Sequence, residues 1–216
     1  QDRAVTATDY ETLVKSIYPN AQSVSAWGGE DDETPTYGVV NISIKAKSGS
    51  VLTDSTKTDI VTKLKPYNVA SVRPVIKDPE ITNILITSNV KFDEKATTKT
   101  ADNLKTDVIT TLTNYNTGTL QKFDAIFRYS KVVGLIDGTD PSILSNITTI
   151  KARKEFTPTI LTSSKYNVYF RNALYNPHTG HNKDGGGILS STGFKIDGND
   201  NEMFLDDDGS GNVRLY

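Results

Sequence analysis

The chain has 216 residues, 36% hydrophobic and 23% charged, with 15 glycines and 8 prolines, a balance that builds one long domain or two short ones and excludes disorder and collagen. It contains no cysteine, which removes zinc ribbons, thiol nucleophiles, CxxC redox pairs and disulfide frameworks together. Lysine plus arginine number 24 against 26 acidic residues, split 19 to 19 over residues 1–155 and 5 to 7 beyond, so no clustered basic face marks a nucleic-acid partner.

The N-terminus, Gln1-Asp2-Arg3, lacks the basic and apolar regions of a signal peptide. Its first helix is announced by Thr8-Asp9-Tyr10-Glu11, a capping-box pattern, followed by Tyr10, Leu13, Val14 and Ile17 at helical spacing and stopped near Pro19. Strands are expected at 21–27 and 38–46; in the second, Val40, Ile42 and Ile44 alternate with Asn41, Ser43 and Lys45, the period of a half-buried strand. Between them Glu30-Asp31-Asp32-Glu33 reads as the solvated tip of a polar hairpin loop, its acids lacking cation-ligand spacing.

A second helix fits 53–66, with Ile60, Val61 and Leu64 on one side and a proline at its stop. Strands follow at 71–77 and 81–92, the latter placing Ile84, Ile86, Val90 and Phe92 on one face. Ala101, Leu104, Val108, Ile109 and Leu112 describe a third helix, ended by Asn114-Tyr115-Asn116-Thr117-Gly118. Phe123, Ile126, Phe127, Val133 and Ile136 suggest a fourth, broken at Asp137-Gly138, and 145–153 returns as a strand. No apolar run, Ile84-Leu85-Ile86 among the longest, approaches the roughly 20 residues needed to cross a bilayer.

From residue 38 the order strand, helix, strand, strand, helix, strand is that of an α+β fold, a ferredoxin-like sandwich with a mainly antiparallel sheet and helices on one face. The other sheet face is then open to a partner or a second layer. Beyond Phe156-Thr157-Pro158 helical periodicity ends and Gly, Asn and Asp become frequent. Alternation at 166–171 and short apolar pieces at 188–189, 194–196, 203–205 and 213–216 predict a small β-rich module. The expected division is therefore an α+β domain over 1–155 and a β-rich module over 156–216. The chain stops in what reads as mid-strand, so both ends are expected to be cut from something longer.

Several constellations invite a chemical reading. His178 and His181, with Asp184 three residues on, could form a divalent-metal set, but they sit in a loop with no helix to fix both imidazoles and no HExxH glutamate. Asp206-Asp207-Asp208-Gly209 has the flavour of a calcium loop, yet it lacks alternating ligands and the twelfth-position Glu, and a hairpin turn explains it with less. Asp184-Gly185-Gly186-Gly187 has no following helix or lysine for a phosphate, and Ser190, Ser191 and Thr192 have no nucleophile elbow. Asn41-Ile42-Ser43 and Asn146-Ile147-Thr148 match glycosylation sequons but fall inside expected strands. These residues give no catalytic, cofactor-binding or metal set to commit to. With 28 Thr, 16 Asn and 10 Tyr, the composition is closer to extracellular bacterial or virion structural proteins than to metabolic enzymes.

Residues 3–29, RAVTATDYETLVKSIYPNAQSVSAWGG, resemble the baseplate-J-like proteins of contractile phage tails. The continuation is similar to a narrower group, the baseplate wedge proteins of T-even-type bacteriophages: Tyr37-Gly38 with Ile44-Lys45-Ala46-Lys47-Ser48-Gly49, then Leu64-Lys65-Pro66-Tyr67-Asn68-Val69-Ala70, then Asn89-Val90-Lys91-Phe92. Phe127-Arg128-Tyr129-Ser130-Lys131 with Leu135-Ile136-Asp137, and the strand at 145–155, fit the same pattern. The resemblance covers 3–155 and departs at the acidic loop 30–33, which points to a relative rather than the T-even protein itself. It implies a non-enzymatic structural part of the virion tail, made in the bacterial host cytoplasm, in the ring around the tail hub. The implied partners are a second copy of the chain, as a homodimer, and other baseplate wedge proteins, without nucleic acid, membrane or cofactor. Two rivals are a metal-dependent enzyme or calcium-binding module built on His178, His181 and the acids at 206–208, and a host-surface binding module using the β-rich tail.

Overall fold

The computed structural model describes residues 3–32, 34–49, 51–69, 71–159, 162–163, 165–170, 188–196, 198, 200–207 and 212–215. The chain divides into two compact units, Gln1–Pro158 and Thr159–Tyr216. In the first unit, residues 3–77 and 80–155 form two lobes, each with its own sheet and helices.

The first lobe opens with helix α1, Ala7–Ile17. Its cap lies two residues before the Thr8–Glu11 pattern: the Thr6 hydroxyl accepts from the Asp9 N–H at 3.2 Å, and the Asp9 carboxylate accepts from the Thr6 N–H at 2.9 Å. That reciprocal pair satisfies amides that an uncapped helix end leaves open. Glu11 is thereby released to accept the Ala26 N–H at 3.1 Å, tying α1 to strand β1, Ala21–Gly28. Strand β2, Val39–Ala46, pairs with β1 antiparallel and with β3, Arg73–Lys77, in parallel. A parallel neighbour needs a crossover, and helix α2, Asp54–Leu64, capped by the Thr53 hydroxyl, supplies it.

Alternation along β2 puts Ile42, Ile44 and Ala46 on one face, where Tyr10 and Val14 of α1 and Ile60 and Leu64 of α2 cover them; all are buried in one cluster with Ala4, Val24 and Leu52. Each large side chain hidden here contributes about 1.5–3 kcal/mol of transfer free energy. On the opposite face, register aligns Trp27, Asn41 and Val75 across the three strands.

In the second lobe, strand β4, Asn83–Phe92, pairs antiparallel with β5, Ile143–Arg153, in a two-stranded ribbon. Between them come helix α3, Ala101–Tyr115, and helix α4, Tyr129–Asp137. Buried residues here are few: Leu104, Val132, Ile136 and Ile143 among the apolar ones, with Asp140, Ser142 and Thr148 among the polar.

The molecule is of the α+β class, and the strand–helix order expected from residue 38 is present as β2, α2, β3, β4, α3 and β5, with α4 added before β5. Its strands are divided among small sheets rather than gathered into one. Asp78-Pro79 follows β3 directly, and the chain leaves the first sheet there, before β4 begins. Two expected helix boundaries also shift. The run 114–118 does not turn; α3 passes into a wider helical turn at Asn116–Leu120, with the Thr117 hydroxyl bonded to the Thr113 carbonyl at 3.0 Å. Residues 123–128 are not helical, and Asp124 has φ +63°, a left-handed conformation that interrupts helical continuation.

In the second unit, β6, Leu205–Asp207, pairs antiparallel with β7, Val213–Leu215. Single bridges join Ser190 to Asp206 and Phe194 to Met203. The alternating residues 166–170 are in no ladder among the described residues; alternation alone supplies no partner strand.

Candidate assembly surfaces

Two polar clusters in the first unit look at first like sites. On the polar face of the first sheet, Asp32 accepts the Trp27 indole N–H at 3.0 Å, the buried Asn41 amide at 2.8 Å and the Lys77 ammonium at 2.8 Å. Lys77 also lies 5.8 Å from the centre of the Trp27 ring, within cation–π range. The Lys77 ammonium, then the Trp27 N–H, hold the Asp32 carboxyl below the usual carboxylate range. One of the four loop acids therefore pins the β1–β2 connection to the sheet rather than standing at a solvated tip. Three donors from three strands converge on this one carboxylate, so the cluster fastens the loop to the sheet.

In the second lobe, Lys99 reaches Asp107 of α3 at 2.8 Å and Asp140, before β5, at 2.9 Å. Asp140 also accepts the Ser142 hydroxyl at 2.7 Å and the Ser142 N–H at 3.0 Å. Lys99, then these two Ser142 donors, bring the Asp140 carboxyl down to about 2. Asp107 and Asp140 in turn raise Lys99 above its ordinary value. The cluster joins three segments through the Lys99 ammonium and the Asp140 carboxylate.

A shallow concavity of about 650 Å³ is lined by Tyr115, Thr119, Asp124, Ile126, Arg128, Ser130 and Lys131. Its lining offers three hydroxyls, on Tyr115, Thr119 and Ser130, and one carboxylate, on Asp124, with no histidine beside them to act as the base of a nucleophile pair.

His178, His181, Asp184 and the 185–187 glycines lie outside the described residues, as does Asp208. Asp206 and Asp207 sit in β6 rather than in the turn expected for them. Asp206 pairs with Arg214 at 3.4 Å, and Asp207 accepts the Leu189 N–H at 2.7 Å. Ser191 bonds the Leu205 N–H at 2.8 Å. Among the described residues no group of three or more His, Cys, Asp or Glu could hold a metal. Both sequon asparagines are engaged internally: Asn41 with Asp32, and Asn146 with the Val133 carbonyl at 3.1 Å and Asp137 at 2.7 Å.

What the first unit offers outward is surface. Odd-numbered positions of β4 and β5 are exposed through Leu85, Thr87, Asn89 and Lys91 and through Ser145, Ile147, Thr149 and Lys151, with Ile147 at 74% exposure. Sequence reasoning put Ile84, Ile86, Val90 and Phe92 on one face of β4 and left the other sheet face open to a partner or a second layer, without naming the residues on it. Among the described residues no helix is long and apolar enough to cross a membrane.

Comparison with known proteins places these elements. Residues 6–77 match the family model for C-terminal domain I of the baseplate structural protein gp6, and residues 80–155 match that for its C-terminal domain III. The chain is 29% identical over 183 residues to the baseplate wedge protein gp6 of Enterobacteria phage T4, an alignment covering 83% of this chain and 27% of that protein. The chain thus spans about a quarter of the length of that relative. A chain in the six-fold symmetrised cryo-EM structure of the anti-feeding prophage baseplate aligns with a TM-score of 0.49 and 12% identity, over 71% of this chain and 34% of that one. The boundary between the two matched models falls at residues 78–79, where the fold passes from the first lobe to the second.

Proposed function

Given that the chain belongs to the family of baseplate structural protein gp6, we propose that it is a structural component of the baseplate wedge of a contractile tail, working by protein–protein contact in the ring around the tail hub. The observation that carries this is the pair of adjoining matches, C-terminal domain I over 6–77 and domain III over 80–155, each coinciding with one folded lobe. The reading places the chain in the virion tail, beside other wedge proteins and a second copy of itself. It asks for no chemistry: the chain's work is to hold neighbours and to let the ring rearrange, which calls for interfaces with apolar centres and polar rims.

The fold is consistent with that work. The first lobe is closed around an apolar core and the second presents an exposed strand face. The test is to tag the chain, isolate contractile tail particles from cells producing it, and locate the tag by immuno-electron microscopy. Decoration of the baseplate is the expected result; a chain that never co-sediments with tails sinks the reading. Pairing of two copies is checked separately by light scattering over a concentration series, where a mass fixed at that of the monomer would remove the homodimer.

A further inference from the structure

The β4–β5 ribbon has two unlike faces. Its inner face carries Ile84, Ile86 and Ile150, all partly buried, and is bound to α4 through Asn146 and through Tyr129, whose hydroxyl donates to the Thr148 carbonyl at 3.0 Å. Its outer face is covered by nothing among the described residues. Cross-strand register sets Leu85 against Lys151, Asn89 against Ile147, Lys91 against Ser145 and Asn83 against Arg153, so all three of the ribbon's cations stand on this one face. Neither strand contains an acidic residue. Arg153 is matched locally by Glu155 at 2.8 Å; Lys91 and Lys151 form no ion pair among the described residues.

Lysines on an exposed ribbon can serve only to repel stray strands. Here they flank apolar side chains on the same surface, Leu85 at 41% and Ile147 at 74% exposure. A ten-residue strand gives that surface a length of about 33 Å. Apolar anchors between unmatched charges of one sign are the makings of a protein interface whose partner carries the opposite sign.

We propose that the outer face of the β4–β5 ribbon is the docking surface for an acidic surface of a different protein, whose carboxylates meet Lys91 and Lys151 while its apolar side chains cover Leu85 and Ile147. The proposal rests on the wedge reading, and names the face and the charge that the reading leaves open.

Zero-length carbodiimide coupling, which joins an amine only to a carboxylate in contact with it, tests this on intact tail particles containing the chain. Lys91 and Lys151 are expected to cross-link to Asp or Glu of another polypeptide, and to lose the acetylation they undergo in the isolated chain. The double variant Lys91→Glu/Lys151→Glu should be depleted from particles, while the control Lys105→Glu/Lys122→Glu, on exposed positions elsewhere in the lobe, should enter normally. Both lysines reacting in the particle as freely as in solution, while other lysines of the chain are protected, would overturn the docking face and leave the wedge reading standing. Cross-links confined to a second copy of the chain would overturn the partner, and protection abolished by nuclease would assign the face to nucleic acid instead. Absence of the wild-type chain from the particles would remove the wedge reading and the inference with it.

Discussion

The two lobes of the first unit are held together by different physics. In the first, a three-stranded sheet lays Ile42 and Ile44 under two helices, and Tyr10, Val14, Ile60 and Leu64 close the layer. In the second, Ser88 and Thr148 bond across the ribbon at 2.8 Å, and polar links join the ribbon to α4: Asn146 to the Val133 carbonyl and Asp137, and Tyr129 to the Thr148 carbonyl. Apolar burial is insensitive to direction, whereas hydrogen bonds fix geometry and contribute only about 1 kcal/mol net apiece. The first lobe thus rests more on apolar burial, while in the second, beside the buried Leu104, Val132 and Ile136, directional links fix how the ribbon sits on α4.

Substitution in the first core should break this contrast most visibly. Ile42→Ala empties part of a fully buried site in the central strand and is expected to cost about 2–5 kcal/mol, read as a lowered urea midpoint. The counterpart in the second lobe, Asn146→Ala, leaves the Asp137 carboxylate and the Val133 carbonyl without their shared donor. A loss of about 1.5 kcal/mol is expected, since the exposed Asp137 can turn to water, with faster amide exchange in β5 and α4 and unchanged exchange in β2. Equal loosening of β2 would show that the lobes unfold as one. Smaller again is Thr6→Ala, which removes half of the capping box; about 1 kcal/mol is expected, with fraying confined to the first turn of α1.

The first lobe was the more legible in sequence, and the reason follows from the same contrast. Alternation of Val40, Ile42 and Ile44 and the spacing of Tyr10, Val14 and Ile17 are local patterns, so they locate β2 and α1 and the faces they bury. The inner face of β4 was readable in the same way. Links between distant positions leave no such trace: Lys99 meets Asp140 41 residues on, and Asp32 meets Lys77 45 residues on. The left-handed turn at Asp124 is likewise a tertiary outcome that apolar spacing concealed, so 123–128 read as helix. Family resemblance pointed to the proposed role where chemistry could not, because an assembly surface has no residue signature comparable to a metal or nucleophile site.

Acid gives the finest discrimination between the lobes. In the second, Lys99 and Ser142 bring the Asp140 carboxyl to about 2, below its unfolded value; a depressed carboxyl stabilises the fold fully above the unfolded pKa and loses that contribution as pH falls through the folded one. The loss therefore runs from about pH 4 to about pH 2. Lys99, raised by Asp107 and Asp140, keeps its charge throughout that window, so protonation of Asp140 alone breaks the link. In the first lobe Asp32 is depressed as well, chiefly by Lys77, but it secures a loop over a sheet whose helix-covered face is already closed by apolar packing. Lowering the pH through this window should speed exchange across 99–142, where Lys99 joins α3 to the approach to β5, while in the first lobe it should affect residues 29–41 around Asp32 and the first turn of α1, where the Asp9 carboxylate, depressed by the Thr6 and Val5 N–H groups, caps the helix. Asp140→Asn should remove the acid response of the second lobe and leave that of the Asp32 loop. Asp32→Asn should do the reverse. Exchange by mass spectrometry at the two pH limits reads both, and a uniform acid response in either variant would show that the polar links do not divide the lobes.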